Sequence, residues 1–290
     1  MGALIEAKGI SKYYGRQRAL DDISFSIQAG AITGLIGPNG AGKTTALKAL
    51  LGLCSFNGEL TVAGRDPRAQ RHLLMEDVCF IADVGILPKW LRVSQAIDFV
   101  DGVHPRFNRE KADRLLARTD VKHSSKIKEL SKGMVTQLHL ALIMAIDVRV
   151  LVLDEPTLGL DIMYRKEFYD RLLSEYYDAE KTVIISTHQV EEIENLLTQL
   201  LFIQQGRIIL DIAMDEIPAR FHEVAVAPER YEEARYYNPV YERELLGRKA
   251  FLFEDSDPAR LQVLGELHTP SVSDLFVAMM TKSRKSGVSS

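Results

Sequence analysis

Residues 37 to 44, Gly37-Pro38-Asn39-Gly40-Ala41-Gly42-Lys43-Thr44, set glycines, a lysine and a hydroxyl in the spacing G-x-x-x-x-G-K-[ST]. Glycines let successive backbone N–H groups turn inward around phosphate oxygens with no Cβ in the way. Lys43 can then reach the terminal phosphates and the Thr44 hydroxyl can ligate Mg²⁺. The helix that follows, with Thr45 in its first turn, turns the positive end of its dipole toward the anion. A plain glycine turn is the alternative. Average composition gives a chance match in a chain this long on the order of one per cent of the time. The loop also follows an apolar run, Ala31 to Ile36, and opens an Ala-, Leu- and Lys-rich segment, Thr44 to Leu51.

A phosphate loop needs a carboxylate from another strand to hold the metal, and hydrolysis needs a group to orient water. Val150-Leu151-Val152-Leu153-Asp154-Glu155 offers both in adjacent positions. Asp154 ends the apolar run and would serve the metal; Glu155 would act as general base. Alone, this acidic pair could equally be a structural turn, and the phosphate loop decides for catalysis. His188 follows a second apolar run, Thr182 to Ser186. The carboxyl end of a parallel strand faces the ligand crevice, so His188 can hydrogen-bond a γ-phosphate and the attacking water.

These residues resemble the ATP-binding cassette (ABC) family over about residues 4 to 211. The discriminating element is Leu130-Ser131-Lys132-Gly133-Met134, which is similar to the family's LSGGQ signature loop at a helix start. The resemblance implies that ATP is sandwiched between two cassettes, Ser131 and Gly133 of one touching the γ-phosphate held by the other. Ser131 also suits a helix N-cap, which does not compete. It implies that Tyr14 stacks on adenine, with Tyr13 as the other candidate. Asp161, in Leu158-Gly159-Leu160-Asp161, would link the two sites across the dimer, and His188 would be the switch histidine. Three positions depart from the family pattern. Asp83 stands where glutamine is usual; it can ligate Mg²⁺ but donates no amide hydrogen bond. Lys132 replaces a glycine and Met134 a glutamine.

The elements that must position these groups read as α/β, with short apolar or alternating runs separated by helical segments. Ile23 to Ile27 alternates as a half-buried strand does. Glu59 to Ala63 and Val78 to Ala82 are further runs, and Leu200 to Gln204 with Arg207 to Leu210 read as a hairpin around Gly206. Residues 87–147 have a helical pattern. Through the resemblance, the fold class is a P-loop NTPase core with an antiparallel β subdomain and a helical signature subdomain. The cassette spans residues 1–211; residues 212–290 form a small C-terminal α+β extension. In the latter, Glu223 to Ala227 and Lys249 to Glu254 are strand-like, around a Tyr- and Glu-rich stretch, and Ser273 to Met280 is helix-like.

Composition bounds the rest. The 290 residues are 46% hydrophobic and 26% charged, ordinary for a soluble domain of this size. A net charge of −4 gives no general pull toward nucleic acid, and none is expected as a partner. The longest apolar stretch, Leu138 to Leu153, is interrupted by His139, Asp147 and Arg149 and is too short to span a bilayer. The first residues lack a basic and apolar leader pattern. Cys54 and Cys79 have no metal-like spacing and read as small core residues.

The family resemblance therefore implies an ATPase using ATP and Mg²⁺, paired with a second cassette of the same or another chain. It would drive a separately encoded transmembrane permease, from the cytoplasm and the cytosolic face of the membrane. Pro88, Trp90 and Leu91 are candidates to receive the permease, with packing inside the helical subdomain as the alternative. A soluble ABC ATPase acting on ribosome or DNA is the competing function. Such proteins carry paired cassettes, coiled-coil arms or zinc sites, none of which this sequence shows. A nucleotide-gated regulator without hydrolysis is opposed by Glu155. The aspartate at position 83 and the C-terminal extension favour an exporter.

Overall fold

The computed structural model describes residues 2–82, 87–158, 160–178 and 180–287. β1 (Ile5–Tyr14) and β2 (Gln17–Ile27) pair antiparallel, and β3 (Ile32–Ile36) runs through the glycine loop into α1 (Lys43–Leu50). β4 (Asn57–Val62) returns to the free side of β1, closing a three-stranded sheet of order β2-β1-β4. α2 (Arg71–Asp77) and β5 (Val78–Ala82) lead into a helical layer of α3 (Val93–Val103), α4 (Arg109–Leu116) and α5 (Lys132–Met144). Then come β6 (Val150–Asp154), α6 (Ile162–Arg171), β7 (Thr182–Thr187) and the hairpin of β8 (Gln199–Gln204) and β9 (Arg207–Ala213). These complete a six-stranded sheet, β5-β6-β7-β3-β8-β9, parallel throughout except between β8 and β9.

Every residue of β3, β6 and β7 is buried. Strands covered by helices on both faces read as unbroken apolar runs, which is why ITGLI, VLVLD and TVIIST stand out in the sequence. Register does the rest. Ile36 lies opposite Thr187, and Asp154 opposite Ser186. The chain therefore leaves β3, β6 and β7 at one level of the sheet edge, where Gly37, Glu155 and His188 begin the next segments. The β8–β9 hairpin turns through Gln205 and Gly206, whose φ angles of 49° and 77° suit a two-residue turn between twisted strands.

β1 was not among the expected strands. Register shifts between Ala7, Ile10, Lys12 and Tyr13 break its alternation, and Gly9 sits at φ 62°. A bulged strand loses the period of two by which strands are recognised.

Beyond β9 the chain forms α7 (Ile217–Arg220), β10 (Phe221–Val226), α8 (Tyr231–Tyr236), β11 (Tyr241–Leu245) and β12 (Arg248–Glu254). α9 (Pro258–Leu261), β13 (Leu267–His268) and α10 (Val272–Gly287) follow. The strands make an antiparallel sheet of order β11-β12-β10-β13, two strands more than the sequence suggested. It has a core of its own, with Val224, Val226, Phe251, Phe253 and Leu261 fully buried. α10 is longer than expected and returns to the cassette. Its Leu275 and Ala278 join the core that holds Phe202, and the Phe276 and Phe202 rings meet edge to face, 5.3 Å apart at 80°. Cys79 is buried and Cys54 half-buried, and neither is in a disulfide.

Candidate nucleotide site

Gly42 precedes α1 at φ 114°, and a Cβ there would stand 2.7 Å from the Ala19 carbonyl oxygen, so only glycine fits. The turn brings Lys43 into a buried position, 6% exposed, where its ammonium donates to the Gly37 carbonyl at 2.7 Å. The same Nζ lies 3.1 Å from Glu155 Oε1. The Thr44 hydroxyl donates to Asp154 Oδ2 at 2.8 Å, and the Ser186 hydroxyl donates to Asp154 Oδ1. Asp154 is thus held at both oxygens by groups from α1 and β7.

Glu155 has φ 49°, a left-handed conformation that costs a non-glycine residue on the order of 1–3 kcal/mol. The turn is held by its own N–H, which donates to Ser186 O at 3.1 Å and Oγ at 3.2 Å. It swings the carboxylate away from the Asp154 side. Glu155 Oε2 then meets His188 Nδ1 at 2.9 Å. One carboxylate is shared between the lysine of the loop and the imidazole beyond β7.

The cleft over these groups has a volume of about 490 Å³. Tyr14, residues 38–45 and Glu155 line it; Tyr13 does not and lies under the Arg18 guanidinium, 5.5 Å from its ring centre. Pro38, Asn39 and Gly40 form the exposed lip of the loop, and the buried Ala41 lies behind them. Gln17, Arg18, Gln205 and Gly206 also line the cleft, and sequence reasoning missed them. They come from the ends of two hairpins, and only the turn at Gly206 left a readable signal.

Ser131 caps α5, its hydroxyl accepting from Met134 N–H at 3.2 Å. Gly133 is buried against Tyr164 of α6; a Cβ there would fall 2.2 Å from the ring carbon Cζ. Neither lines the cleft of its own chain. Asp161 caps α6, accepting from Tyr164 N–H at 3.2 Å. Asp83 lies outside the described residues. Thr44 Oγ1 and Asp154 Oδ2 form a pair of hard oxygen donors at the loop, which fits Mg²⁺ held jointly with phosphate oxygens. Among the described residues, no group of three or more His, Cys, Asp or Glu could hold a metal by itself.

A second cavity, about 800 Å³, opens on the helical layer. Pro88, Trp90, Leu91, Phe99 and Leu142 line it, and Trp90 is 72% and Phe99 66% exposed. His139 of α5 also lines it, buried, with no hydrogen-bond partner at Nε2, and desolvation pushes its pKa down to about 4. Among the described residues no helix is long and apolar enough to cross a membrane.

The family model for ABC transporters matches residues 20–158. The Nod factor export ATP-binding protein I of Ralstonia nicotianae is 30% identical over 300 residues, covering 95% of this chain and 93% of that protein. The protein of that name in Burkholderia thailandensis is 31% identical, covering 96% and 97%. Among solved structures, cbiO1 of Clostridium perfringens, part of the ABC transporter complex cbiONQ, has a TM-score of 0.64 at 25% identity. It covers 76% of this chain and 92% of its own. The ATP-binding subunit of another ABC transporter reaches 0.66 at 24% identity, covering 74% and 92%. The chain belongs to the ATP-binding subunits of ABC transporters and is an ATPase.

Proposed function

We propose that the chain hydrolyses Mg–ATP with Glu155 as general base, in a pair of cassettes that drives a separately encoded permease in export. The observation that carries the reading is the placement of Glu155, 3.1 Å from Lys43 Nζ and 2.9 Å from His188 Nδ1. A γ-phosphate entering the loop competes with Glu155 and with the loop carbonyls for the Lys43 ammonium. The released carboxylate is then free to accept a proton from water, while His188 keeps hold of its other oxygen and can reach the phosphate. Thr44 and Asp154 would hold Mg²⁺, which supplies charge neutralisation on the phosphates; Asp83 is a further candidate ligand. Tyr14 at the cleft mouth offers a face for adenine.

Pairing is supported by what each chain leaves unused. Ser131 and Gly133 sit at the start of α5, away from their own cleft, so a helix N-terminus is offered to the phosphate of a partner. Leu158, Ile162 and Met163 beside Asp161 are 49%, 80% and 77% exposed, an apolar rim suited to contact with a second cassette. The groove around Trp90 suits a helix of the permease, and docking there places the chain on the cytosolic face of the membrane. Export is supported by the relatives that match along nearly the whole chain, both of them Nod factor export ATP-binding proteins.

Glu155→Gln tests this. Turnover should fall by about 100-fold or more, the scale of a lost general base, while gel filtration with ATP shows a trapped dimer. A variant that hydrolyses at the parental rate and stays monomeric sinks the base assignment.

A further inference from the structure

One guanidinium joins the segments on either side of the reaction. Arg165 lies in α6, and its Nε donates to the carbonyl of Leu160, the residue before Asp161, at 2.7 Å. Its Nη1 donates both to Gln189 Oε1, on the residue after His188, and to Glu192 Oε1. The other oxygen of Glu192 accepts from the buried Thr157 hydroxyl at 3.3 Å. Thr157 lies two residues beyond Glu155, and its oxygen is 3.4 Å from the Tyr169 hydroxyl. Since Thr157 gives its proton to the carboxylate, the Tyr169 O–H donates to Thr157. The Arg165 and Glu192 side chains are only 20% and 21% exposed, so their charge-assisted bonds are weakly screened.

We propose that Arg165 is a positioning residue for hydrolysis, which locks the Leu160–Asp161 loop to the His188 segment so that the two move as one. Motion of Asp161 toward or away from a partner cassette cannot occur alone. It must carry Gln189, and with it His188, or break either the Arg165 bond to Leu160 or the two bonds to Gln189 and Glu192. Arg165 does not line the nucleotide cleft. It acts by fixing where His188 stands relative to Glu155, and so belongs to a chain of contacts with two ends at the reaction. The proposal rests on the roles given above to Glu155, His188 and Asp161.

The test is ATP turnover by Arg165→Met, Arg165→Lys, Glu192→Gln and the Met/Gln double variant, beside Glu155→Gln. In Arg165→Met, kcat should fall about tenfold or more while KM for ATP moves by less than about twofold, because nucleotide binding does not use this network. Arg165→Lys keeps the charge on Glu192 but cannot also span Leu160 and Gln189, so it should recover part of the rate. The double variant should lose little more than Arg165→Met alone, since both changes cut one connection. With Glu155→Gln as background, Arg165→Met should weaken the ATP-trapped dimer in gel filtration but leave equilibrium ATP binding unchanged. Parental kcat in Arg165→Met overturns the proposal. So does a loss in which kcat, ATP affinity and melting temperature fall together and lysine restores none of them. If Glu155→Gln alone neither stops turnover nor traps a dimer, the failure belongs to the site assignment and not to Arg165.

Discussion

The cassette and the C-terminal sheet bury polar groups in opposite ways. On the cassette side Lys43, Asp154, Thr157, Ser186 and Thr187 are all below 9% exposed, and each is hydrogen-bonded to groups in or beside the site. In the C-terminal sheet the buried polar side chain is His222, with no partner at Nε2, and the core is otherwise aliphatic and aromatic. Some of its charges pair at the surface, as in Arg230 with Glu233 and Arg235 with Glu242, and others half-buried at its margin, as in Arg220 with Glu254 and Arg243 with Glu223. Burying a charge costs several kcal/mol unless it is paired, so the cassette gives up stability for a preorganised site. The C-terminal sheet keeps its ion pairs out of its core cluster, as expected of a unit selected for folding and contact.

Packing in the C-terminal sheet is where the comparison predicts the largest stability effect. Phe253 is fully buried in a small core. Phe253→Ala should cost about 3–5 kcal/mol in denaturant unfolding, the range for deleting a buried aromatic ring. Turnover per folded molecule should hold, since no contact of Phe253 reaches the cleft. A turnover that falls in step with stability would break the separation of the two regions.

Within the cassette α5 and α6 meet closely at Gly133. Gly133→Ala drives a Cβ to 2.2 Å from the Tyr164 ring, which must shift. The expected cost is about 1–3 kcal/mol, the usual penalty for overpacking. Tyr164→Ala should relieve it when combined with Gly133→Ala. If Gly133→Ala is neutral in urea unfolding, the close approach of α5 and α6 is not what demands glycine there.

These two regions were also unequally legible from the sequence. The loop at Gly37 to Thr44 works through backbone N–H groups and neighbours in sequence, so its chemistry is written locally. Asp154, Glu155 and His188 could be placed because each follows an apolar run, and strand register brings such ends together. Arg165 and Glu192 left no comparable trace, as their bond spans 27 residues and depends on how α6 sits against the segment after β7. Arg18 was hidden for the same reason. β11 reads Tyr-Glu-Arg-Glu-Leu, with exposed glutamates on one face and the charged Arg243 among the half-buried groups on the other, so hydropathy offers little contrast. β13 is two residues long and carries no period at all.

A pH effect sharpens the contrast inside the cassette. His139 has an ordinary value of 6.5 lowered by desolvation to about 4. Between those values the unfolded chain binds a proton that the folded chain refuses. The contribution is therefore fully favourable above pH 6.5 and is lost as pH falls toward 4, by at most about 1.4 kcal/mol per pH unit. His139→Leu should flatten the unfolding free energy against pH over that window. An unchanged slope would mean that other groups carry the acid sensitivity.

The smallest effect belongs to a look-alike of Arg165. Arg235 also binds glutamates through a full fork, with Nε and Nη2 each 3.1 Å from Glu242 and Nη1 2.6 Å from Glu232. Its partners raise its pKa, the Glu242 hydrogen bond foremost, yet its side chain is 41% exposed, about twice that of Arg165. Water screens both ions and competes for every donor, so geometry alone gives it little to contribute. Arg235→Ala should leave the unfolding midpoint and ATP turnover unchanged within error, where Arg165→Met alters kcat. Each arginine makes three hydrogen bonds, those of Arg235 all to carboxylates, and what separates them is exposure and what lies at the far end. For Arg235 it is solvent; for Arg165 it is the residues beside Asp161 and His188. A measurable loss of turnover in Arg235→Ala would show that the C-terminal sheet reports to the site, contrary to the division drawn from their cores.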